Sequence, residues 1–264
     1  MPLFENVEEF KNVSDALQWA IFIVALLIVI VAVISISISI WLFVKYISYN
    51  RQQNSAGLSG GDAARKILDD NDLKHIRVST FGSLLFGNSY SHYFNKVRLR
   101  RLTTKKKSIT SLAMGAEKSA LAILDKNGDK DMKKRIALTP FMYFGPVLFI
   151  PIVLVGIAID FFVLNSTGVA TVISAGLGIL LYVISFVLSI KVLKTEVKAQ
   201  ALACEIMLKE NLATESEVES MKELYKIYNI QYVNDIILQF LELIMRVLML
   251  IANAQNSSAN ADND

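Results

Sequence analysis

Histidine and cysteine are almost missing from this sequence. Its 264 residues hold two histidines, His75 and His92, and one cysteine, Cys204. One cysteine excludes an internal disulfide framework and any CxxC zinc or redox pair, and two histidines leave little material for a multi-histidine metal centre. Charge is scarce too. Only 19% of the residues are charged, against about 25% in soluble domains. Hydrophobic residues make up 53%, the mean hydropathy is +0.44 and the net charge is +3. That balance points to a membrane protein.

The apolar residues are gathered into runs. Ala16–Val44 is 29 residues without a charge, and about 20 apolar residues cross a bilayer core. Trp19 and Trp41 stand near its ends, where aromatic rings favour the membrane–water interface. A cleaved signal peptide is excluded by the length and by the acidic lead of Glu5, Glu8, Glu9 and Asp15. A second block, Ile136–Ile190, is 55 residues long with one acid, Asp160. It suits two helices joined by a turn near Asp160–Gly168, with Asn165-Ser166-Thr167-Gly168 supplying the turn chemistry. The first of the two should start near Pro140 and bend, since it also holds Pro146 and Pro151. Tyr232–Ala252 is a fourth candidate, a span or an interfacial helix. Its Glu242 and Arg246 are four apart and would face each other on a helix.

Basic residues set the orientation. Residues 46–139 hold 18 Lys/Arg and 8 Asp/Glu, whereas the first 18 residues hold one lysine and four acids. The positive-inside rule puts the N-terminus outside and 46–139 in the cytoplasm. Four spans then return the tail, 253–264, to the outside, where its Asn/Ser-rich composition predicts disorder.

Within 46–139 the pattern changes. Ser59-Gly60-Gly61-Asp62 leads into AARKILDD, a short helix ended by Asp70-Asn71-Asp72. His75–Ser79 and Lys96–Leu102 alternate and read as short strands, with a turn at Gly87-Asn88-Ser89. Ser108–Leu124 is a helix rich in small residues, ended at Asn127-Gly128.

The segments SAGLSGGDAARKILDDNDLKHIRV, GSLL, SHYFNKVRLRR and KSITSLAMGAEKSALAI resemble, in order and spacing, the membrane-bound neutral zinc metallopeptidases of the YugP type. In that family a GxTGxxxARxIL segment precedes a strand, a DHYDP loop and an RLS strand. A helix of form SIAAxxVAAHEVGHAIQ, paired hydrophobic helices and a VEFDAS-type segment follow. Thr195-Glu196-Val197-Lys198-Ala199 falls where VEFDA would stand. The resemblance covers residues 42–250 and is clearest over 56–124. It implies a zincin-like core, in which two histidines at i and i+4 bind zinc and a glutamate after the first acts as general base.

The departures are specific. Laid without gaps, Glu117 and Leu121 take the two histidine positions and Lys118 the general-base position. Sliding by one residue keeps Glu117 as the base but makes the ligands Ala116 and Ala120. The loop keeps only His92-Tyr93, and Lys198 replaces the aspartate of VEFDAS. Glu196 alone survives as a metal candidate. The expectation is a pseudopeptidase with no catalytic residue and no cofactor, in a family that would bind zinc. Alternatives are an active peptidase with displaced ligands and a channel or transporter subunit.

Other constellations are weaker. Asp125–Asp131 lacks the glycine and glutamate positions of a calcium loop. Gly57–Gly61 lacks the Gly-Lys-Ser/Thr of a phosphate loop. Cys204, in an apolar stretch, reads as a buried, inert thiol. Arg98, Arg100, Arg101, Lys105, Lys106 and Lys107 suit anionic head groups at a membrane surface, or a solvated cytoplasmic face with no partner, rather than nucleic acid. Asp160 reads as an interfacial turn residue, with ion transfer as its rival.

The expected fold is therefore a mainly α membrane protein with about four transmembrane helices and a small α+β cytoplasmic element resembling a degenerate zincin-like core. Its parts are 1–45 (tail and first span), 46–139 (metallopeptidase-like domain), 140–190 (second and third spans), 191–231 (cytoplasmic helical segment), 232–252 (fourth span or interfacial helix) and 253–264 (tail). The expected location is a bacterial plasma membrane. The expected partners are the lipid bilayer and a membrane protein or peptide, with no nucleic acid.

Overall fold

The structure, a computed structural model, describes residues 10–142, 144–164 and 168–261. Glu5, Glu8 and Glu9, the Asn165-Ser166-Thr167 turn and the last three residues of the tail lie outside the described residues. In chain order the elements are α1 (Asp15–Arg51), α2 (Gly60–Asp70), β1 (Arg77–Ser79), α3 (Ser83–Phe86), β2 (Ser89–Ser91) and β3 (Lys96–Arg98). They continue with α4 (Arg101–Lys105), α5 (Ile109–Lys126), α6 (Lys130–Met142), α7 (Phe144–Ile159), a π-helical turn at Asp160–Leu164, α8 (Val169–Lys209) and α9 (Glu215–Ala261). They divide between two compact units. One comprises Met1–Ile36, Thr139–Ile190 and Val233–Asp264, the other Ser37–Leu138 and Lys191–Tyr232.

The second unit is built around α5. Its N-cap, Ser108, accepts from the Ser111 N–H, and alanine, serine and glycine along it let neighbours approach from every side. Helix α2 begins with a reciprocal cap between Ser59 and Asp62, which satisfies two otherwise orphaned amide donors. It then lies against α5 so closely that a β-carbon on Gly115 would stand 2.3 Å from the Gly60 carbonyl oxygen. Ser119 reinforces the contact by donating to the Ala64 carbonyl. Ile67, Leu68, Leu112, Leu121, Met207 and Leu224 fill the core around this crossing.

The sheet has the order β1-β3-β2, with β1 parallel and β2 antiparallel to β3. On β3, Val97 is buried between Lys96 and Arg98, the alternation of a strand with one covered face.

In the first unit α7 and α8 form a hairpin. A β-carbon on Gly156 would fall 2.5 Å from Ser174 Oγ, and one on Gly178 2.8 Å from the Phe149 ring. Small residues permit such close helix approach. Asp160 fastens the hairpin. It is buried, and its carboxylate accepts from the Ala170 and Thr171 N–H groups and from the Thr171 hydroxyl, at 2.9, 2.7 and 2.7 Å. It thus neutralises the positive end of the α8 dipole. Further along, Tyr182 stands between Glu242 and Arg246 of α9. Its hydroxyl donates to Glu242 at 3.0 Å, and the Arg246 guanidinium lies 5.4 Å from its ring and 4.3 Å from that of Phe149.

Several expectations change. Among the described residues two helices, α1 and α8, are long and apolar enough to cross a membrane, with Leu148–Leu164 as a shorter apolar stretch. Four spans were expected. Helix α7 has 16 residues, and Glu242 and Arg246 interrupt the apolar half of α9. Pro140 does not open α7 but sits within α6. The second strand ends at Arg98 and the chain turns into α4, while Ser89, expected in a turn, opens β2. The tail expected to be disordered is helical to Ala261. The segment from Lys191 is no separate helix but the continuation of α8.

Two substitutions test these contacts. Gly115→Ala is expected to lower unfolding stability by about 1–3 kcal/mol, the usual effect of overpacking, measured by denaturant melts. Asp160→Ala should remove the α8 cap at about 0.5–2 kcal/mol, whereas Asp160→Asn, which retains an acceptor, should lose less by the same measurement.

Candidate functional site

Four helices of the second unit converge on one charge network. Glu117 and Lys118 are adjacent on α5. Glu196 and Gln200, one turn apart, share a face of α8, in the charged stretch that follows its apolar part. Arg135 comes from α6 and Asn229 from α9.

Lys118 Nζ lies 3.0 Å from Glu117 Oε2 and 3.1 Å from Glu196 Oε2. Arg135 pairs with the other oxygen of Glu196. Gln200 Nε2 donates to Glu117 Oε1 at 3.0 Å, and Asn229 donates back to Gln200 Oε1 at 2.7 Å. Both oxygens of each carboxylate are thereby engaged by protein groups. The Glu117 and Lys118 side chains are only 6% and 11% exposed, and Leu121, one turn beyond Glu117, is fully buried in the apolar core.

Burial dominates the protonation behaviour and sorts the members. It pushes the Glu117 carboxyl up, and the attraction of Lys118 recovers only part of that shift. Burial also opposes charge on Lys118, but the two carboxylates outweigh it and hold the ammonium above its ordinary range. At Glu196 burial is overcome by Lys118 and Arg135, which keep that carboxyl below its ordinary range. The cluster is a closed, self-neutralising set with Lys118 as its central cation.

Glu117, Lys118 and Glu196 are thus brought together, while Leu121 is packed apart from the polar groups. Arg135, Gln200 and Asn229 were missed. Gln200 had one legible signal, its spacing of four from Glu196.

The remaining candidates lie elsewhere. His75 is exposed in the turn before β1. His92 Nδ1 is 2.6 Å from Asp125 Oδ2, which also accepts from the Tyr90 hydroxyl. Asp129 caps α6 through the Asp131 and Met132 amides, and Lys198 pairs with both Asp129 and Asp131. These pairings hold the turn between α5 and α6. Cys204 is buried, and burial raises its thiol pKa, as an inert thiol requires. Among the described residues, no group of three or more His, Cys, Asp or Glu side chains is placed to hold a metal ion.

A family model described as "Putative neutral zinc metallopeptidase" matches residues 24–252. The chain belongs to that family of zinc metallopeptidases. No curated protein and no solved structure matches it. Membership corrects one expectation: no cofactor was expected, yet the cofactor the family implies is zinc. The residues around Lys118 do not fit that ion. An ammonium occupies the space between the two carboxylates, a guanidinium covers the remaining oxygen of Glu196, and Leu121 has no donor atom. No reaction step through the metal follows from this arrangement.

Lys118→Met should lower stability at neutral pH by about 3–5 kcal/mol, because it strands a buried carboxylate. The sign of the pH dependence follows from Glu117. A carboxyl raised by burial favours folding more as pH falls, since its protonated form needs no cation. The deficit of the variant is therefore expected to shrink from about pH 8 to about pH 5, as read from paired melting curves.

Proposed function

We propose that this chain is a membrane-integral, catalytically inactive member of the zinc metallopeptidase family. It acts by binding a membrane-protein or peptide partner rather than by cleaving it. The observation that carries this reading is Lys118. It stands at the position set against the family's general base, and its ammonium is 3.0 and 3.1 Å from the carboxylates of Glu117 and Glu196. A zinc peptidase uses the metal to polarise the scissile carbonyl and activate water, with a carboxylate taking the proton. A lysine held charged at that position cannot accept the proton.

The membrane part of the reading takes α1, α7, the apolar part of α8 and residues 232–252 as four crossings of a bacterial plasma membrane. The N-terminus and tail lie outside, and residues 46–139 and 191–231 are cytoplasmic. Its support is the length and hydropathy of α1 and α8, the tight pairing of α7 with α8, and the basic excess of 46–139.

Purified full-length protein is expected to release no product from a mixed peptide pool above the rate in buffer. The triple variant Glu117→His, Lys118→Glu, Leu121→His should raise its zinc content relative to wild type, as measured by elemental analysis. Near-stoichiometric zinc in the wild type, lost together with peptidase activity on chelation, overturns the proposal.

A further inference from the structure

From Arg77 to Ala116 the chain carries eight Lys/Arg and no Asp/Glu. The fold gathers four of these charges on one side of the small sheet. Along β3 and the residue pair after it, Val97 and Leu99 are buried in the core, so the intervening Lys96, Arg98 and Arg100 lie on the other face. The parallel register places Arg77 opposite Lys96, which adds a fourth cation to that face.

Large apolar side chains stand beside these cations with no protein cover. Phe81 is 80% exposed, Leu84 98% and Phe94 68%, and Tyr93 and Leu102 are exposed as well. Two of the rings are held by the charges themselves. Lys96 Nζ lies 5.5 Å from the Phe81 ring, and the Arg98 guanidinium 5.5 Å from that of Phe94. Around Leu102, the cations Arg101, Lys105 and Lys106 line a groove of about 570 Å³.

We infer that this face of the second unit docks on an anionic lipid surface. Phe81, Leu84, Phe94 and Leu102 enter the head-group and acyl boundary, and the basic residues sit among the phosphates. A single exposed leucine needs no explanation, but several large apolar side chains beside a predominantly cationic face do. Both halves of the pattern fit an anionic bilayer: apolar area is buried at the boundary, and the charge is attracted to the head groups. Single-stranded nucleic acid would use the aromatic rings for stacking, but it offers nothing to Leu84 and Leu102. This inference rests on the membrane reading above and adds to it the surface that meets the lipid.

The sole cysteine permits the test. In a Cys204→Ala background, a nitroxide on Leu84→Cys is followed in full-length protein reconstituted into phosphatidylcholine vesicles with or without phosphatidylglycerol. In the anionic vesicles the label should become accessible to oxygen and shielded from a water-soluble nickel complex. Replacing Arg98, Arg100, Arg101 and Lys105 by Gln should lower the ratio of inserted to uninserted label by about fivefold per charge removed. If the cysteine-free chain does not fold, Leu84→Trp with brominated phosphatidylglycerol gives the same readout as added quenching over wild type. A label that stays in water in both vesicle types overturns the inference, as does equal shielding by a single-stranded oligonucleotide without vesicles. An alkaline wash of the vesicles tests the spans separately. Protein that washes off yet still inserts position 84 into added anionic vesicles loses the spans and keeps the docking face.

Discussion

A charge buried away from water has to be neutralised where it stands, and that requirement organises the second unit. Lys118 answers it for two carboxylates at once. Because Glu117 comes from α5, Glu196 from α8 and Arg135 from α6, satisfying one set of charges fixes three helices together. Gln200 and Asn229 extend the constraint to α9. Breaking a buried pair is severe because the surviving charge has no solvent to turn to. The core can tolerate small changes of apolar volume more easily than the loss of one of these polar groups.

That network has electrostatics opposite to those of a metal site. A metal site presents converging lone pairs to an incoming cation. Here the converging oxygens already have their cation, attached to the backbone and unable to leave. The glycine-mediated approach of α2 to α5 survives beside it, since the Gly60–Gly115 contact depends on backbone shape and not on chemistry. The close packing at Gly60–Gly115 and the charge cluster at Lys118 rest on separate residues of α5.

What could be read from the sequence was local. The apolar run of α1, the Ser59–Asp62 cap, the Ser108 start of α5 and its end at Asn127-Gly128 all rest on contacts within a few residues. The resemblance supplied the order of the elements, and with it Glu117, Lys118 and Glu196. Arg135 and Asn229 were invisible because they reach the network across tens of residues without a motif. Strand β2 was hidden by its composition, since its first residue closes the Gly87-Asn88-Ser89 segment that reads as a turn. Lys191 looked like a boundary because charge begins there, but helix formation responds to backbone propensity and not to polarity, so α8 continues. The exposed apolar residues of the basic face were legible only once burial was known. Phe81, Leu84 and Phe94 look in the sequence like ordinary core residues.

Asp160 has a consequence for how the chain is made. Its carboxylate grips amides only ten and eleven residues ahead, so the turn between α7 and α8 closes as soon as a short stretch has been synthesised, before α9 exists. Local closure is the quickest kind of contact to form, because little chain entropy is lost. A hairpin pinned this early carries Asp160 already masked by the helix that it caps. In that sense the acid weighed for ion transfer acts as a fastening between α7 and α8.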